Sequence, residues 1–202
     1  SCSGSWFLPS ATTSGGTGFK NCSDLEFLTL NYFDFFGLPV SFQVDPAALR
    51  SVFLQNSRKY HPDFHTLSDE ARQASALEMS TLNNEAFKTL SDMDRRIRYV
   101  LEINDLLGSE EAQPPLPASF LGEMMDINEA LMELEFDFDE TRYQAALNSV
   151  QVMEQSLLNE IQPILEHWTA ADGKEPLLRV RDYFLKKRYL LRIHENLSKF
   201  AP

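Results

Sequence analysis

The sequence predicts an all-α fold from Asn31 onward, closing with an antiparallel three-helix bundle. Three observations carry this. Glycine is scarce beyond residue 30 and runs of β-branched residues are absent, so the composition of strands is missing. Helix starts are marked by capping residues, as in "DPAALRSVFLQNSRKY", where Asp45 is placed to cap and Pro46 to occupy the first helical position. Prolines and glycines then fall in short stretches between longer runs of helical spacing.

In order along the chain, "NYFDFFGL" predicts a short apolar helical turn ended by Gly37 and Pro39. The helix after Asp45 places Leu49, Val52, Phe53 and Tyr60 on one broad face and leaves Arg50, Arg58 and Lys59 for solvent. Pro62 breaks it. Ser68 is the expected cap of the next helix, with Asp69 and Glu70 in its first turn, where they favour the helix dipole. That helix runs to about Leu90, with Leu82, Ala86 and Leu90 on its buried stripe. "DMDRRIRYVLEIN" gives a short fourth helix, and "GSEEAQPPLPAS" a linker. Three helices follow: Ser119 to Leu134, the neighbourhood of Asp139 to Trp168 with Pro163 kinking it or ending its regular part, and Glu175 to Lys199 after a turn at Gly173 and Pro176. Short connections between them favour antiparallel packing.

The chain has 202 residues, 43% of them apolar, enough for a substantial core. Its net charge of −12 argues against nucleic-acid binding, which calls for a basic surface. No run of 18 apolar residues is present, so no membrane-spanning helix is expected. Residues 1–30 read as a flexible leader or an expression remnant: "SCSGSWFLPSATTSGGTGF" is rich in Ser, Thr and Gly and lacks the patterns of a transit or secretory peptide. Both cysteines, Cys2 and Cys22, lie there, leaving open a disulfide or half a zinc site. Two thiols without nearby histidines fall short of four zinc ligands. Charge is uneven: residues 106–168 carry 13 acidic side chains and one basic, Arg142. A solvated face is the ordinary fate of such charge; the sharper reading is a field that attracts a basic partner.

The stretch "RKYHPDFH" raises three readings. His61, Asp63 and His65 alternate, as ligands on a strand would, but Pro62 puts them in a loop and no fourth ligand is near. A catalytic His61–Asp63 pair would need a nucleophile and an oxyanion site, and no G-x-S-x-G or phosphate-binding glycine loop is present. The third reading is recognition: Pro62 fixes the backbone and Asp63 presents a carboxylate at a corner directly after a basic helix end. An ordinary helix–helix loop would look the same in isolation.

The context decides among them. "YFDFFGLP", "LRSVFLQNSRKYHPD", "STLNNEAFKTLSD" and "RRIRYVL", in this order, resemble the J domain of the HscB (Jac-type) co-chaperones. "FLGEMMDINEALMELE" is similar to that family's scaffold-binding helix and "VRDYFLKKRYLLRIHENL" to its terminal helix, so the resemblance covers about residues 31–200. It implies an L-shaped all-α protein: a leader over 1–30, a J domain over 31–107, a linker over 108–118 and a bundle over 119–202. It implies stimulation of a DnaK/HscA-type ATPase chaperone and delivery of an IscU-type iron–sulfur scaffold protein to it. No cofactor and no catalytic site of the chain's own are implied. Residue by residue, His61, Pro62 and Asp63 match the family's chaperone-contacting loop, Arg58 and Lys59 the basic end of its second helix, and Arg50 the same face. Leu121, Met125, Asp126, Glu129 and Glu133 match the scaffold-contacting stripe, and Tyr189 an aromatic that completes it. For Leu121 and Met125 helical periodicity leaves bundle core as the alternative.

The sequence also departs from the family pattern. Phe64 follows His-Pro-Asp where a lysine is common, and Gly122 replaces a larger apolar residue, which points to a smaller scaffold patch. The cysteine tetrad that eukaryotic members often carry before the J domain is not matched, which favours a bacterial cytoplasmic member over one of the mitochondrial matrix. Two other functions stand beside the main one: a J protein serving a different client, and a metal-dependent hydrolase built on His61, Asp63 and His65.

Overall fold

The computed structural model describes residues 31–61, 70–108 and 114–200. The leader with Cys2 and Cys22, the loop residues Pro62, Asp63, Phe64 and His65, and the expected cap Ser68 lie outside them. Among the described residues there are seven α-helices, one short 3-10 turn and no strand.

Helix α1 (Tyr32–Phe36) is a single turn that Asn31 caps by accepting from the Asp34 N–H at 3.0 Å. Gly37 stops it in the left-handed region at φ 64°, where a side chain would be strained. Its value lies in three aromatics: Phe33 and Phe36 are buried, and Tyr32 stacks on Tyr99 with centroids 4.4 Å apart. Helix α2 (Pro46–Lys59) begins as expected, with Asp45 accepting from the Ala47 N–H and Pro46 in the first turn. Helix α3 (Glu70–Ser91) packs antiparallel to it. Phe53 stacks on Phe87 at 4.3 Å, and one turn on, Asn83 donates to the Phe53 carbonyl and the Ser57 hydroxyl. Ala86 and Leu90 are fully buried and Leu82 is half-buried, as the stripe predicts.

Asp92 caps helix α4 (Met93–Ile103), accepting from the Arg95 N–H at 2.9 Å. Here an arginine enters the core. Arg96 donates through Nε to the Leu90 carbonyl at 2.7 Å and through Nη1 to the Phe42 carbonyl at 2.5 Å. It thereby pins the α1–α2 connection to the α3–α4 corner.

The last three helices are α5 (Ala118–Phe136), α6 (Glu140–His167) and α7 (Glu175–Ser198). The connection between α5 and α6 is three residues long, which forces them antiparallel. Arg179 reaches the Glu160 carbonyl, and Lys187 and Leu191 face the stretch from Gln151 to Leu158 across one cleft, so α6 and α7 also run opposite ways. Pro163 does not end α6: the helix continues to His167, and the Trp168 N–H still bonds the Ile164 carbonyl at 2.9 Å. Pro163 stands in the last stretch of the helix, where its missing donor removes a bond close to an end that frays in any case.

One apolar core runs from α1 to α7. At its middle the Phe42 ring meets Trp168 at 5.3 Å, and the Trp168 indole N–H donates to the Gly173 carbonyl at 3.1 Å. Around this seam Gln43 donates to the Leu165 carbonyl, Lys174 to the Asn104 carbonyl, and Lys187 pairs with Asp94 at 2.5 Å. The connection from α4 to α5 is thus reinforced by contacts distant in sequence.

Candidate partner-binding surfaces

Two surfaces gather the residues singled out from the sequence. The first is the outer side of α2. Leu49 is buried and Val52, Phe53 and Tyr60 are half-buried, so the helix turns Arg50, Arg58 and Lys59 outward. At about 100° per residue, Arg50, Leu54 and Arg58 follow one another at roughly 40° steps on one stripe, and Lys59 lies about 100° beyond Arg58. Lys59 holds its ammonium 4.9 Å above the Tyr60 ring. Leu54 is an exposed apolar residue between the two arginines, and the sequence reading did not single it out. Its signal was available: position 54 belongs to the same face as Arg50 and Arg58. Tyr60 closes the helix by donating to the Asn56 carbonyl, and His61 follows it, exposed. Pro62, Asp63 and His65 lie outside the described residues. Among the described residues no three His, Cys, Asp or Glu side chains gather as a metal site would need.

The second surface is on α5. Its core side is Phe120, Met124, Ile127, Leu131 and Leu134. Leu121 at 39% exposure and Met125 at 70% therefore do not belong to the core, which settles the alternative left open by periodicity. They begin a stripe. Asn128, Met132 and Phe136 continue it within about 60° of Leu121 on a 100° helical wheel. Met132 and Phe136 are 62% and 89% exposed. The sequence reading stopped at Glu133 and missed both. Helical spacing from Met125 would have found them, since 132 and 136 are seven and eleven residues on.

The stripe has two unlike margins. On one side Glu129, Glu133 and Asp126 lie about 80–140° round from Leu121. All three are exposed, and Glu133 pairs with Arg142 of α6 at 2.8 Å. On the other side stands Tyr189 of α7, half-buried, its ring edge-on to Phe120 at 6.0 Å and its hydroxyl 3.4 Å from the Asn128 amide that donates to it. The Lys186 ammonium lies 5.8 Å from the same Phe120 ring. All six residues expected to form one patch thus sit around α5: two in the apolar centre, three on the acidic margin, and Tyr189 as the wall opposite. Gly122 lies on the acidic side with open space where a Cβ would stand, so the surface is recessed there.

No helix among the described residues is long and apolar enough to cross a membrane. Residues 116–198, which include the whole α5 surface, match the family model of the HSCB C-terminal oligomerisation domain. Two solved structures share the fold. One is the crystal structure of the human co-chaperone protein HscB, 26% identical over 84% of this chain and 81% of that one, with a TM-score of 0.64. The other is the chaperone HscB from Vibrio cholerae, 24% identical over 84% of this chain and 96% of that one, with a TM-score of 0.59. Residues 116–198 thus match the HSCB carboxyl-terminal domain, on a chain that shares its helical fold with two HscB proteins.

Proposed function

We propose that the chain stimulates the ATPase of a DnaK/HscA-type heat-shock chaperone and carries an IscU-type iron–sulfur scaffold protein to it for cluster transfer. The observation that carries this is the exposed apolar stripe of α5, inside the matched domain, bounded by Glu129, Glu133 and Asp126 and walled by Tyr189. Apolar side chains left on a helix face call for a covering partner, and flexible methionines suit an adaptable surface. On this reading residues 31–107 act as the J domain, 108–118 as the linker and 119–202 as the scaffold carrier. The chain does no chemistry itself. His61, Pro62 and Asp63 engage the ATPase, and Arg50, Arg58 and Lys59 steer the chain toward an acidic surface on it. We place the protein in the bacterial cytoplasm, with the mitochondrial matrix as the alternative.

The test is ATPase stimulation of the chaperone, measured with and without the scaffold. Asp63→Asn abolishes stimulation while helicity and melting stay normal. Leu121→Ala/Met125→Ala/Tyr189→Ala keeps basal stimulation but binds the scaffold more than tenfold more weakly by calorimetry, since truncating an interface hot spot costs about 2 kcal/mol or more. Normal stimulation by folded Asp63→Asn overturns the chaperone role. Failure of the native chain to bind scaffold at micromolar concentrations assigns the bundle to a different client.

A further inference from the structure

The apolar stripe does not stop where the acidic margin does. Leu121, Met125, Met132 and Phe136 line up over 15 residues, or roughly 22 Å of helix at 1.5 Å per residue. Phe136, at 89%, is among the most exposed of the large apolar side chains, and it sits in the last turn of α5. A Phe placed this way is held neither by the core nor by the neighbouring ring pair of Phe138 and Tyr143, which meet at a tilt with centroids 6.0 Å apart. We infer that Met132 and Phe136 form a distal anchor for the scaffold protein, so that the docking surface runs the length of α5. This rests on the scaffold-carrier reading above and adds residues to it.

The surroundings of Phe136 say what kind of surface covers it. Glu129 and Glu133 lie along one flank of the stripe, Glu135 along the other, and Asp137 follows directly; all four are exposed. Arg142, bonded to Glu133, is the one basic residue among residues 106–168 against 13 acidic ones. The occupant therefore presents an apolar contact fringed by Lys or Arg, about 20 Å along from the contact that meets Leu121. A partner of that chemistry gains both burial of the ring and compensation of the carboxylates. A second copy of this chain would set acidic margin against acidic margin and is disfavoured by like-charge repulsion.

The experiment is calorimetric titration of the IscU-type scaffold into the full chain, native and Phe136→Ala/Met132→Ala, at two salt concentrations, with sedimentation of each alone. The variant is expected to bind at least tenfold more weakly, with the fold and the scaffold-free ATPase stimulation unchanged. The conservative Phe136→Leu/Met132→Leu recovers most of the affinity. Glu135→Gln/Asp137→Asn flattens the salt dependence. If the native chain binds and the alanine variant binds equally well, the distal anchor is wrong. If the alanine variant instead turns a dimer into a monomer with scaffold binding unchanged, the face serves self-association and the inference falls. If the native chain does not bind the scaffold at all, the scaffold-carrier reading fails, an outcome distinct from either.

Discussion

Arg96 brings a permanent charge into the core at 7% exposure. Burial pulls its guanidinium below the ordinary arginine value, while Asp92 works the other way. What makes the position tolerable is the pair of main-chain carbonyls it serves, from Leu90 and from Phe42, 54 residues away in sequence. Hydrogen bonds to a charged donor are worth about 1.5–3 kcal/mol each, and a buried carbonyl left without a donor costs more than the bond alone suggests. Arg96→Leu is therefore expected to lower stability by roughly 3 kcal/mol, and Arg96→Lys to recover only part of it, because an ammonium cannot match the forked geometry. Urea denaturation decides this, and an Arg96→Leu midpoint equal to the native one would refute it. Nothing in local sequence announces this burial. "DRRIRYVL" carries three arginines, Arg95 and Arg98 are exposed, and the carbonyl that selects Arg96 arrives from another part of the chain. The same limit shaped the α5 surface. Spacing placed Leu121 and Met125 on a common face but could not say whether that face met a neighbour. The structure decides this by putting Phe120 and Met124 inward, one residue earlier in each case.

The helices themselves were largely legible. Asp45, Asp92 and Asp139 accept from main-chain N–H groups at the starts of α2, α4 and α6, and each is a local signal that needs no tertiary information. The helix ends were less legible, because α5 outlasts its periodic core by two exposed residues and α6 runs through Pro163. Two predictions belong at this scale. Gly122 lies inside α5 with nothing near its missing Cβ, so Gly122→Ala relieves the entropy cost of glycine without a clash. It should raise stability by about 0.5–1 kcal/mol in thermal or urea unfolding, and a loss would mean the position is not open helix surface. The caps predict an acid response. Main-chain N–H bonds, from Arg142 and Thr141, hold the Asp139 carboxyl below the usual aspartate range, and bonds from Thr169 do the same for Asp172. A depressed carboxylate contributes its stability above the unfolded value and loses it as pH falls through the folded one. Melting of native protein should thus decline as pH drops below about 4, and Asp139→Ala/Asp172→Ala should show a shallower decline from a lower start. Parallel pH curves for the two proteins would remove the caps from the account.

At the scale of the whole molecule, the question is whether helices α1–α4 and the α5–α7 bundle behave as one body. Their junction is not a bare linker. Phe42 and Trp168 share a tilted ring contact, and the Arg96 bond to the Phe42 carbonyl ties that ring to the α3–α4 corner. Trp168 is buried and fixed by its own indole hydrogen bond to Gly173. The Lys187–Asp94 pair lies at the edge of the same seam with the carboxylate more than half exposed, so it adds little beside the rings. We expect cooperative unfolding of the native chain, with amides of α3 and of α6 opening at the same free energy in hydrogen exchange. Trp168→Ala removes the ring and its hydrogen bond from a packed site and should cost about 3–5 kcal/mol. More tellingly, it should separate the two sets of amides, with α1–α4 opening before the bundle. A double-mutant cycle with Phe42→Ala isolates the ring contact, expected to couple by about 0.5–1.5 kcal/mol. If the cycle gives no coupling, or if the Trp168→Ala amides still open together, the seam is a passive contact. The α2 face and the α5 stripe, the two surfaces proposed for partners, would then be joined by the chain alone, and the angle between them would have to be set by whatever binds them.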